Sequence, residues 1–316
     1  MTNVKPIAFL FPGQASEFAD GYQELYDKYQ VVRDTFKISS LVLGIDIADL
    51  CFNGTDEDLS LTSNTQPVIL TASIAAWRVF YEETAGKINV IGMAGHSLGE
   101  YSALVVSGVI SFEDAISIVR LRGLAMQEAA DKAGDTMMAA IIGLSYDQIN
   151  TICDEPIEGD VLSIANYNSP KQVVISGHSR SVLAAGEKVR KLKGKLIPLK
   201  VSAPFHSSIM EPVESVLLKQ FENTNFHKPR IPVIKNTDAM PYRGAWEVPQ
   251  TLSYQATSPV LWDVSVNSLI RMGAQELYVP CPSKVIVNLM RQIDKSIPVY
   301  GIDDLKTLTA AINQVR

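Results

Sequence analysis

The pentapeptide Gly95-His96-Ser97-Leu98-Gly99 constrains the fold of this chain more than any other segment. It follows an apolar run at 88–94 and precedes a helix-like stretch at 100–106. G-x-S-x-G between a strand and a helix is typical of a sharp turn that holds a serine hydroxyl above a sheet. Glycines suit this turn because a Cβ there would clash with the backbone. Serine alone is a weak nucleophile, so the motif predicts a base and an oxyanion site elsewhere.

The pattern on either side of this motif predicts an α/β fold with a mostly parallel sheet. A continuous apolar run at 7–11 indicates a strand buried on both faces. Helices are expected at 21–37, at 66–84 with Gln66-Pro67 near the start, and at 112–130 after an N-cap at Ser111. Alternating strands and helices favour a parallel sheet. Helices near 207–222 and 260–271 and strands near 231–234 and 276–279 continue the pattern.

The segment 131–202 has a different rhythm. Strands are predicted at 136–142, 161–164, 172–175 and 196–199, and helices are predicted after Ser145 and at 179–192. The stretch Asn166-Tyr167-Asn168-Ser169-Pro170 is expected to be the loop between the two middle strands. The order β-α-β-β-α-β is the ferredoxin-like pattern. We therefore predict a small ferredoxin-like α+β subdomain at 131–202, inserted into a large subdomain formed by 1–130 and 203–316.

Composition narrows the function classes. The 316 residues carry a net charge of −6, which argues against nucleic-acid binding and limits attraction to anionic membranes. No apolar run is long enough to span a bilayer, and the N-terminus lacks signal-peptide features. The three cysteines, Cys51, Cys153 and Cys281, are far apart, so neither disulfides nor a zinc site is expected. We expect a cytoplasmic protein without a metal or cofactor.

Of four histidines, His206 is the candidate base for Ser97. It follows an apolar segment in Ala203-Pro204-Phe205-His206, and a histidine suits general base work because its pKa lies near neutrality. His96 is expected to pack beneath the turn, because adjacent side chains diverge there. His178 is expected to cap a helix or be exposed, and His227 to be solvated.

Arg122 is predicted to be a buried cation. On a helix over 112–130 it shares an apolar face with five residues, namely Ala115, Ile118, Val119, Met126 and Ala129. A buried guanidinium is costly unless it is paired. The partner is either an internal carboxylate, which is the commoner case, or a carboxylate of the substrate held by two parallel hydrogen bonds.

Two further features suggest binding groups. Gln14 follows the first strand, and ligands in open α/β sheets bind beyond the carboxyl ends of strands. The amides of Gln14 and Leu98 are candidate oxyanion donors, although Gln14 alternatively caps a turn. A basic run at 188–200 includes Lys191 and Lys195 and contains no acid. It is either a solvated helix face or a docking site for an anionic partner.

Five motifs occur in order: Phe11-Pro12-Gly13-Gln14, Gly95-His96-Ser97-Leu98-Gly99-Glu100, Arg122-Gly123, Asn166-x-Asn168-Ser169-Pro170 and Ala203-Pro204-Phe205-His206. With them the chain resembles the malonyl-CoA:acyl-carrier-protein transacylases over essentially its full length. The resemblance implies an α/β-hydrolase-like core with a ferredoxin-like insert. It also implies malonyl transfer from malonyl-CoA to the phosphopantetheine thiol of holo acyl carrier protein in fatty acid synthesis.

The resemblance also implies residue roles. Ser97 is the residue that becomes malonylated, His206 its base, Arg122 the site of the malonyl carboxylate, and Gln14 and Leu98 the oxyanion donors. A backbone carbonyl of Gln255 would orient His206, in place of the aspartate of a Ser-His-Asp triad. Phe205 and Asn166 would influence substrate selectivity. Because acyl carrier proteins are acidic, Lys191 and Lys195 are the candidate docking residues, and we expect a monomer.

Two segments depart from the family pattern. The usual Gly-Gln-Gly-Ser-Gln is replaced by Gly13-Gln14-Ala15-Ser16-Glu17, so the turn at Ala15 should avoid positive φ. The usual Glu-x-Gly-Pro-Gly-Lys is replaced by a segment containing Cys281-Pro282-Ser283, so this loop must be built differently. Both changes concern the mouth of the cleft and therefore partner preference.

Other functions remain open at this stage. A trans-acting malonyl acyltransferase of a polyketide pathway would use the same chemistry. An acyl hydrolase would not need Arg122, and a carboxylesterase would ignore malonyl-CoA. A carrier-binding module without activity would leave Ser97 unlabelled.

Overall fold

A computed structural model describes residues 4–14, 21–281 and 283–315. The strands are Pro6–Phe11 (β1), Asn89–Gly95 (β2), Thr136–Ile142 (β3), Leu162–Ser169 (β4), Gln172–His178 (β5), Lys195–Pro198 (β6), Val233–Ile234 (β7), Glu276–Pro280 (β8) and Val299–Ile302 (β9). The helices are Gly21–Lys28 (α1), Gln30–Leu43 (α2), Ile47–Asn53 (α3), Asp56–Ser60 (α4), Thr62–Glu83 (α5), Gly99–Val106 (α6), Phe112–Ala133 (α7), Tyr146–Cys153 (α8), Ser179–Lys191 (α9), Glu211–Phe221 (α10), Val248–Gln255 (α11), Trp262–Arg271 (α12), Lys284–Ile293 (α13) and Leu305–Val315 (α14).

The larger sheet is parallel, with the strand order β7-β2-β1-β8-β9. Successive side chains of β1 enter two separate apolar clusters, Phe9 and Phe11 on one face and Ala8 and Leu10 on the other. Alternate residues of a strand point to opposite faces, so β1 is buried on both. The predicted parallel α/β fold is confirmed. Strands β1 and β2 are neighbours, which brings their carboxyl ends, and hence Gln14 and Ser97, to one edge.

The smaller sheet is antiparallel, with the order β4-β5-β3-β6. Its elements follow the predicted order β3-α8-β4-β5-α9-β6. Strand β4 joins this sheet to the rest of the protein, because Val260 accepts from the N–H of Tyr167 and donates to the carbonyl of Ala165. The subdomain limits at residues 131 and 202 stay a prediction.

The prediction of a loop at Asn166–Ser169 is wrong. These residues complete β4, and the turn is confined to Pro170 and Lys171. The pairing of β4 with β5 is irregular at two points, between Ile164 and Asn166 and between Tyr167 and Ser169. Asparagine is unfavourable in strands on average, but here its side chains line a cleft rather than an apolar core.

Helix α5 begins at Thr62, several residues before the predicted start at Gln66-Pro67. Pro67 has no N–H to donate to the carbonyl of Ser63, which would weaken a helix. Arg120 on α7 supplies the missing donor, with its Nη1 2.6 Å from the carbonyl oxygen of Ser63. A contact between helices therefore extends α5 beyond what the local sequence indicates.

Helix α7 agrees with its predicted start and its predicted apolar face. The Ser111 side chain accepts a hydrogen bond from the N–H of Asp114, as an N-cap should. All six residues of the predicted face, including Arg122, are buried. In the part of the chain that the structure describes, no helix combines the length and the apolar character needed to cross a bilayer.

Candidate active site

The G-x-S-x-G segment forms the predicted sharp turn between β2 and α6. Ser97 adopts a φ of 52°, in the left-handed region that non-glycine residues seldom occupy. A Cβ on Gly95 would lie 1.9 Å from the carbonyl carbon of Gly99, and a Cβ on Gly99 would lie 2.2 Å from the carbonyl oxygen of Phe11. Both glycines are therefore required, which confirms the expected clash.

The structure brings His206 to Ser97 across 109 residues of sequence. The Nε2 atom of His206 is 2.8 Å from Oγ of Ser97. Its Nδ1 atom is 2.9 Å from the carbonyl oxygen of Gln255 and 3.0 Å from that of Ser258. Carbonyl oxygens only accept, so Nδ1 carries a proton and Nε2 is left to accept from the serine hydroxyl. The Gln255 carbonyl lies where it was predicted, whereas Ser258 was missed.

Burial, followed by the positive charge of Arg122 and the nearby His96, lowers the pKa of His206 to about 3. The imidazole is thus uncharged at neutral pH and available to accept a proton. Its backbone φ of 56° places His206 in a strained region, like Ser97.

Arg122 is 2% exposed and extends from α7 to the serine. Its Nη2 atom is 3.2 Å from Oγ of Ser97 and 3.2 Å from Oε1 of Gln255, and its Nη1 donates to Oε1 of Gln66 at 2.8 Å. Among the described residues, no carboxylate forms an ion pair with it, and its Nε has no acceptor. The internal salt bridge, the commoner alternative in the sequence analysis, is therefore absent from the described part of the chain.

Gln14 and Leu98 both line the space beside Ser97. Within the described residues, no acceptor takes the backbone N–H of either one. Leu98 immediately precedes α6, where the helix dipole favours negative charge. The side chain of Gln14 donates to Oγ1 of Thr62 at 3.4 Å, and this contact does not involve the backbone N–H. The arrangement is suited to binding an oxyanion.

These groups face a cleft of about 380 Å³ between the two sheets. Phe205 is buried in its wall, and Asn166 lies on the side of the small sheet, both as expected. His96 also lines the cleft, with Nε2 2.9 Å from Oδ1 of Asn168 and its ring edge-on to Trp262. The prediction that His96 packs beneath the turn is therefore only partly right, because part of its ring faces the cleft.

The remaining predicted groups lie at the surface. Lys191 and Lys195 are exposed at the end of α9 and the start of β6, and neither lines the cleft. Lys200, in the same basic run, does line it. His227 is exposed, as predicted, whereas His178 uses Nδ1 to accept from the N–H of Val161 instead of capping α9.

Sequence reasoning missed Asn236 and Glu100. Asn236 accepts from the N–H of Ser97 at 2.7 Å through Oδ1 and donates to the carbonyl of Gly95 at 2.6 Å through Nδ2, so it ties the turn on both sides of the motif. Glu100 is fully buried directly after the motif. Nothing in the sequence around Asn236 indicates its role. Glu100 could have been noticed, because a glutamate among the apolar residues of the helix after the turn is unusual.

The two departures from the family pattern are only partly described. Ala15 and Glu17 lie outside the described residues, as does Pro282. Cys281 is buried and adopts a φ of 92°, which a glycine would reach more easily. Ser283 begins the next element, because its side chain caps α13 by accepting from the N–H of Ile286. The segment 283–286 contributes three residues to the cleft: Ser283, Val285 and Ile286.

Comparison with known proteins agrees with this geometry. Residues 8–271 match the family model described as acyl transferase domain. This chain belongs to the acyl transferase domain family. Among relatives, it is 40% identical over 308 residues to the malonyl CoA-acyl carrier protein transacylase of Salmonella typhimurium, covering 97% of this chain and 99% of the relative. The corresponding protein of Bacillus subtilis is 37% identical, covering 98% and 97%.

Solved structures of this acyl transferase family share the fold along the whole chain. The malonyl CoA-acyl carrier protein transacylase of Coxiella burnetii superposes with a TM-score of 0.94 at 33% identity, covering 99% of this chain and 98% of that one. A malonyl-transacylase in complex with its type II PKS acyl-carrier protein also gives a TM-score of 0.94, at 37% identity over 98% and 100% of the chains. The predicted fold and family are thus confirmed.

Proposed function

We propose that this protein transfers the malonyl group of malonyl-CoA to the phosphopantetheine thiol of an acyl carrier protein, for fatty acid synthesis. The observation that carries the proposal is the position of Arg122. A buried guanidinium with no carboxylate partner in the described chain stands 3.2 Å from the serine oxygen. A free carboxylate on the acyl group supplies the missing negative charge, so the site favours a dicarboxylic acyl group over a simple one.

The first half of the reaction acylates Ser97. The hydroxyl proton passes to Nε2 of His206 as Oγ attacks the thioester carbonyl, and the oxyanion is stabilised by the N–H groups of Gln14 and Leu98. The C–S bond then breaks, and the coenzyme A thiolate leaves with the proton from His206. The malonyl carboxylate binds Arg122.

The second half transfers the acyl group to the carrier. His206, neutral again, takes the proton of the phosphopantetheine thiol, and the thiolate attacks the malonyl-serine ester. The C–O bond breaks, and Oγ of Ser97 regains the proton. The carbonyls of Gln255 and Ser258 keep Nε2 of His206 directed at the reacting atoms throughout. We expect this route to need no metal or cofactor.

The other predicted roles belong to this proposal. Phe205 and Asn166 limit the shape of the acyl group from opposite sides of the cleft, and Lys191 and Lys195 attract the acidic carrier protein. A cytoplasmic location and a monomeric state complete it. The relatives named above are transacylases that act with acyl carrier proteins, which supports the same partners here.

A second candidate is malonyl transfer to a polyketide carrier protein. It is favoured by the likeness to the transacylase solved with a type II PKS acyl-carrier protein. Both candidates use the same chemistry at Ser97, so they differ only in the carrier that removes the malonyl group.

Intact-mass measurement tests the proposal. Wild-type protein mixed with malonyl-CoA is expected to gain one malonyl group, which holo carrier protein then removes; Ser97→Ala is expected to gain none. Holo carriers of fatty acid and polyketide type, compared at equal concentration, separate the two candidates. Absence of an adduct in the wild type, or an adduct that water removes as fast as the carrier does, contradicts the transferase assignment.

A further inference from the structure

Glu100 is a buried carboxylate to which the mechanism above gives no role. It is fully buried on α6. Its Oε1 accepts from the hydroxyl of Tyr242 at 2.6 Å, and its Oε2 accepts from the N–H of Asn236 at 3.1 Å and from Nε2 of Gln255 at 2.7 Å. Its partners in the described chain are all neutral donors. Burying a charge without an ion pair is costly, so this position calls for an explanation.

The contact with Gln255 links Glu100 to the candidate active site. An amide has a donor end and an acceptor end, and they cannot be exchanged without changing the partners. The Nε2 of Gln255 donates to Glu100 and to the carbonyl of Ser97 at 3.0 Å. This directs Oε1 to Nη2 of Arg122, the same atom that approaches Oγ of Ser97.

We propose that Glu100 is a positioning residue for substrate selection: as a pure acceptor it fixes the amide of Gln255, which in turn holds Arg122 where the acyl carboxylate binds. The inference rests on the proposed malonyl transfer. If residue 100 offered no acceptor, Nε2 of Gln255 would keep the carbonyl of Ser97 as its close acceptor, and the amide would be held less firmly. Oε1 of Gln255 would then hold Nη2 of Arg122 less firmly beside the serine.

The ionisation of Glu100 gives this idea a second observable. The pKa of Glu100 is raised to about 7, mainly by burial and slightly by the charge of Asp238. The hydrogen bonds from Tyr242, Gln255 and Asn236 act in the opposite direction and are included in this value. The other ionisable groups that interact with it are Arg122 and Tyr101. Protonation removes the charge that strengthens the hydrogen bond from Gln255, so lowering the pH should act in the same direction as losing the acceptor.

The test compares Ser97 acylation by malonyl-CoA and by acetyl-CoA, which has no carboxylate to bind Arg122. For Glu100→Met at pH 8, which removes both carboxylate oxygens at similar side-chain size, we expect the malonyl-to-acetyl ratio of kcat/KM to fall at least about tenfold, mainly through KM for malonyl-CoA, as for one lost charge-assisted hydrogen bond. Ser102→Ala is the matched control, because Ser102 is buried two residues further along α6 and its hydroxyl has no partner among the described residues. Its ratio should stay within about twofold of the wild type.

The wild type supplies a measurement that does not depend on the folding of any variant. Its ratio should fall as the pH is lowered from 8 to 6, because Glu100 takes up a proton in that range. An unchanged ratio in folded Glu100→Met, or a flat ratio in the wild type, overturns the inference alone. A wild-type protein that forms no malonyl adduct contradicts the proposed function itself.

Discussion

The two walls of the cleft are built in opposite ways. The elbow wall, formed by Ser97, Leu98, Arg122 and His206, holds its polar side chains by hydrogen bonds and uses strained backbone at two positions. The small-sheet wall, formed by Met138, Ala140, Asn166, Asn168 and Val174, is mainly apolar with a few amide groups. A fixed wall suits bond making, because reacting groups must be placed accurately, whereas an apolar wall suits the binding of a flexible arm. Substitutions in the elbow wall should therefore change the rate of the chemical step, whereas substitutions in the small-sheet wall should change how well the substrate binds.

The largest expected effect is on stability, when a glycine of the turn at Ser97 and a glycine of the small subdomain are each replaced by alanine. Gly95→Ala places a Cβ 1.9 Å from backbone that cannot move without breaking the turn, so we expect the variant to lose more than about 4 kcal/mol of stability or fail to fold. Gly186→Ala is the control on α9, where the atoms near the new Cβ belong to the Leu196 side chain, the nearest at 3.3 Å. Its stability should change by no more than about 1 kcal/mol. Urea unfolding of both variants measures this, and similar losses would remove the contrast.

Arg122→Ala should reduce transfer of a charged acyl group more than transfer of an uncharged one. Malonyl transfer is expected to fall about 100-fold or more, because a buried charge-assisted contact is lost, whereas acetyl transfer should fall less. Arg120→Ala is the matched control on the same helix, since Arg120 reaches Ser63 and Asn64 instead of the serine. It should lower stability without changing the malonyl-to-acetyl ratio. Equal losses for both substrates in Arg122→Ala would exclude a carboxylate-binding role.

His206, in the elbow wall, makes the free energy of unfolding of the protein depend on pH. Its folded-state pKa is about 3 against 6.5 ordinarily, so between these values the unfolded state binds one more proton and stability falls as the pH is lowered. His206→Asn lacks this contribution. Relative to the wild type, the variant should therefore gain about 1.4 kcal/mol of stability per pH unit below 6.5. Urea unfolding at pH 7.5 and 5.5 checks the sign, and a constant difference would show that His206 is not held neutral.

Charge reversal at the exposed basic run should have the smallest effect. Lys191→Glu with Lys195→Glu is expected to raise KM for holo carrier protein about threefold to tenfold at low salt, with kcat and KM for malonyl-CoA unchanged, because exposed charges act over long range and are screened. Lys28→Glu with Lys37→Glu changes the net charge equally on α1 and α2, away from the cleft lining. If both pairs behave alike, the basic run is a solvated face.

The elements that could be predicted are those whose causes lie close together in sequence. The turn at Ser97, the cap at Ser111 and the apolar face that carries Arg122 all follow from short-range sterics or helical period, and the structure agrees with them. The two amides at Gln14 and Leu98 follow from the rule that sites form at the carboxyl ends of parallel strands.

What could not be predicted depends on contacts between distant segments. The start of α5 at Thr62 depends on Arg120, and the strand character of Asn166 depends on the cleft that it faces. Asn236 and Tyr242 become visible only when β7 and the loop after it lie beside the turn. The short elements α3, α4 and β9 have too few residues for a periodic signal.

A crystal structure of the malonyl adduct tests the central claim most directly. Protein crystals soaked with malonyl-CoA should show an ester on Oγ of Ser97, with the malonyl carboxylate within hydrogen-bond distance of the Arg122 guanidinium. The ester carbonyl should lie between the N–H groups of Gln14 and Leu98. A carboxylate that points to Asn166 or to solvent, with Arg122 still bound only to Gln66 and Gln255, would contradict the account.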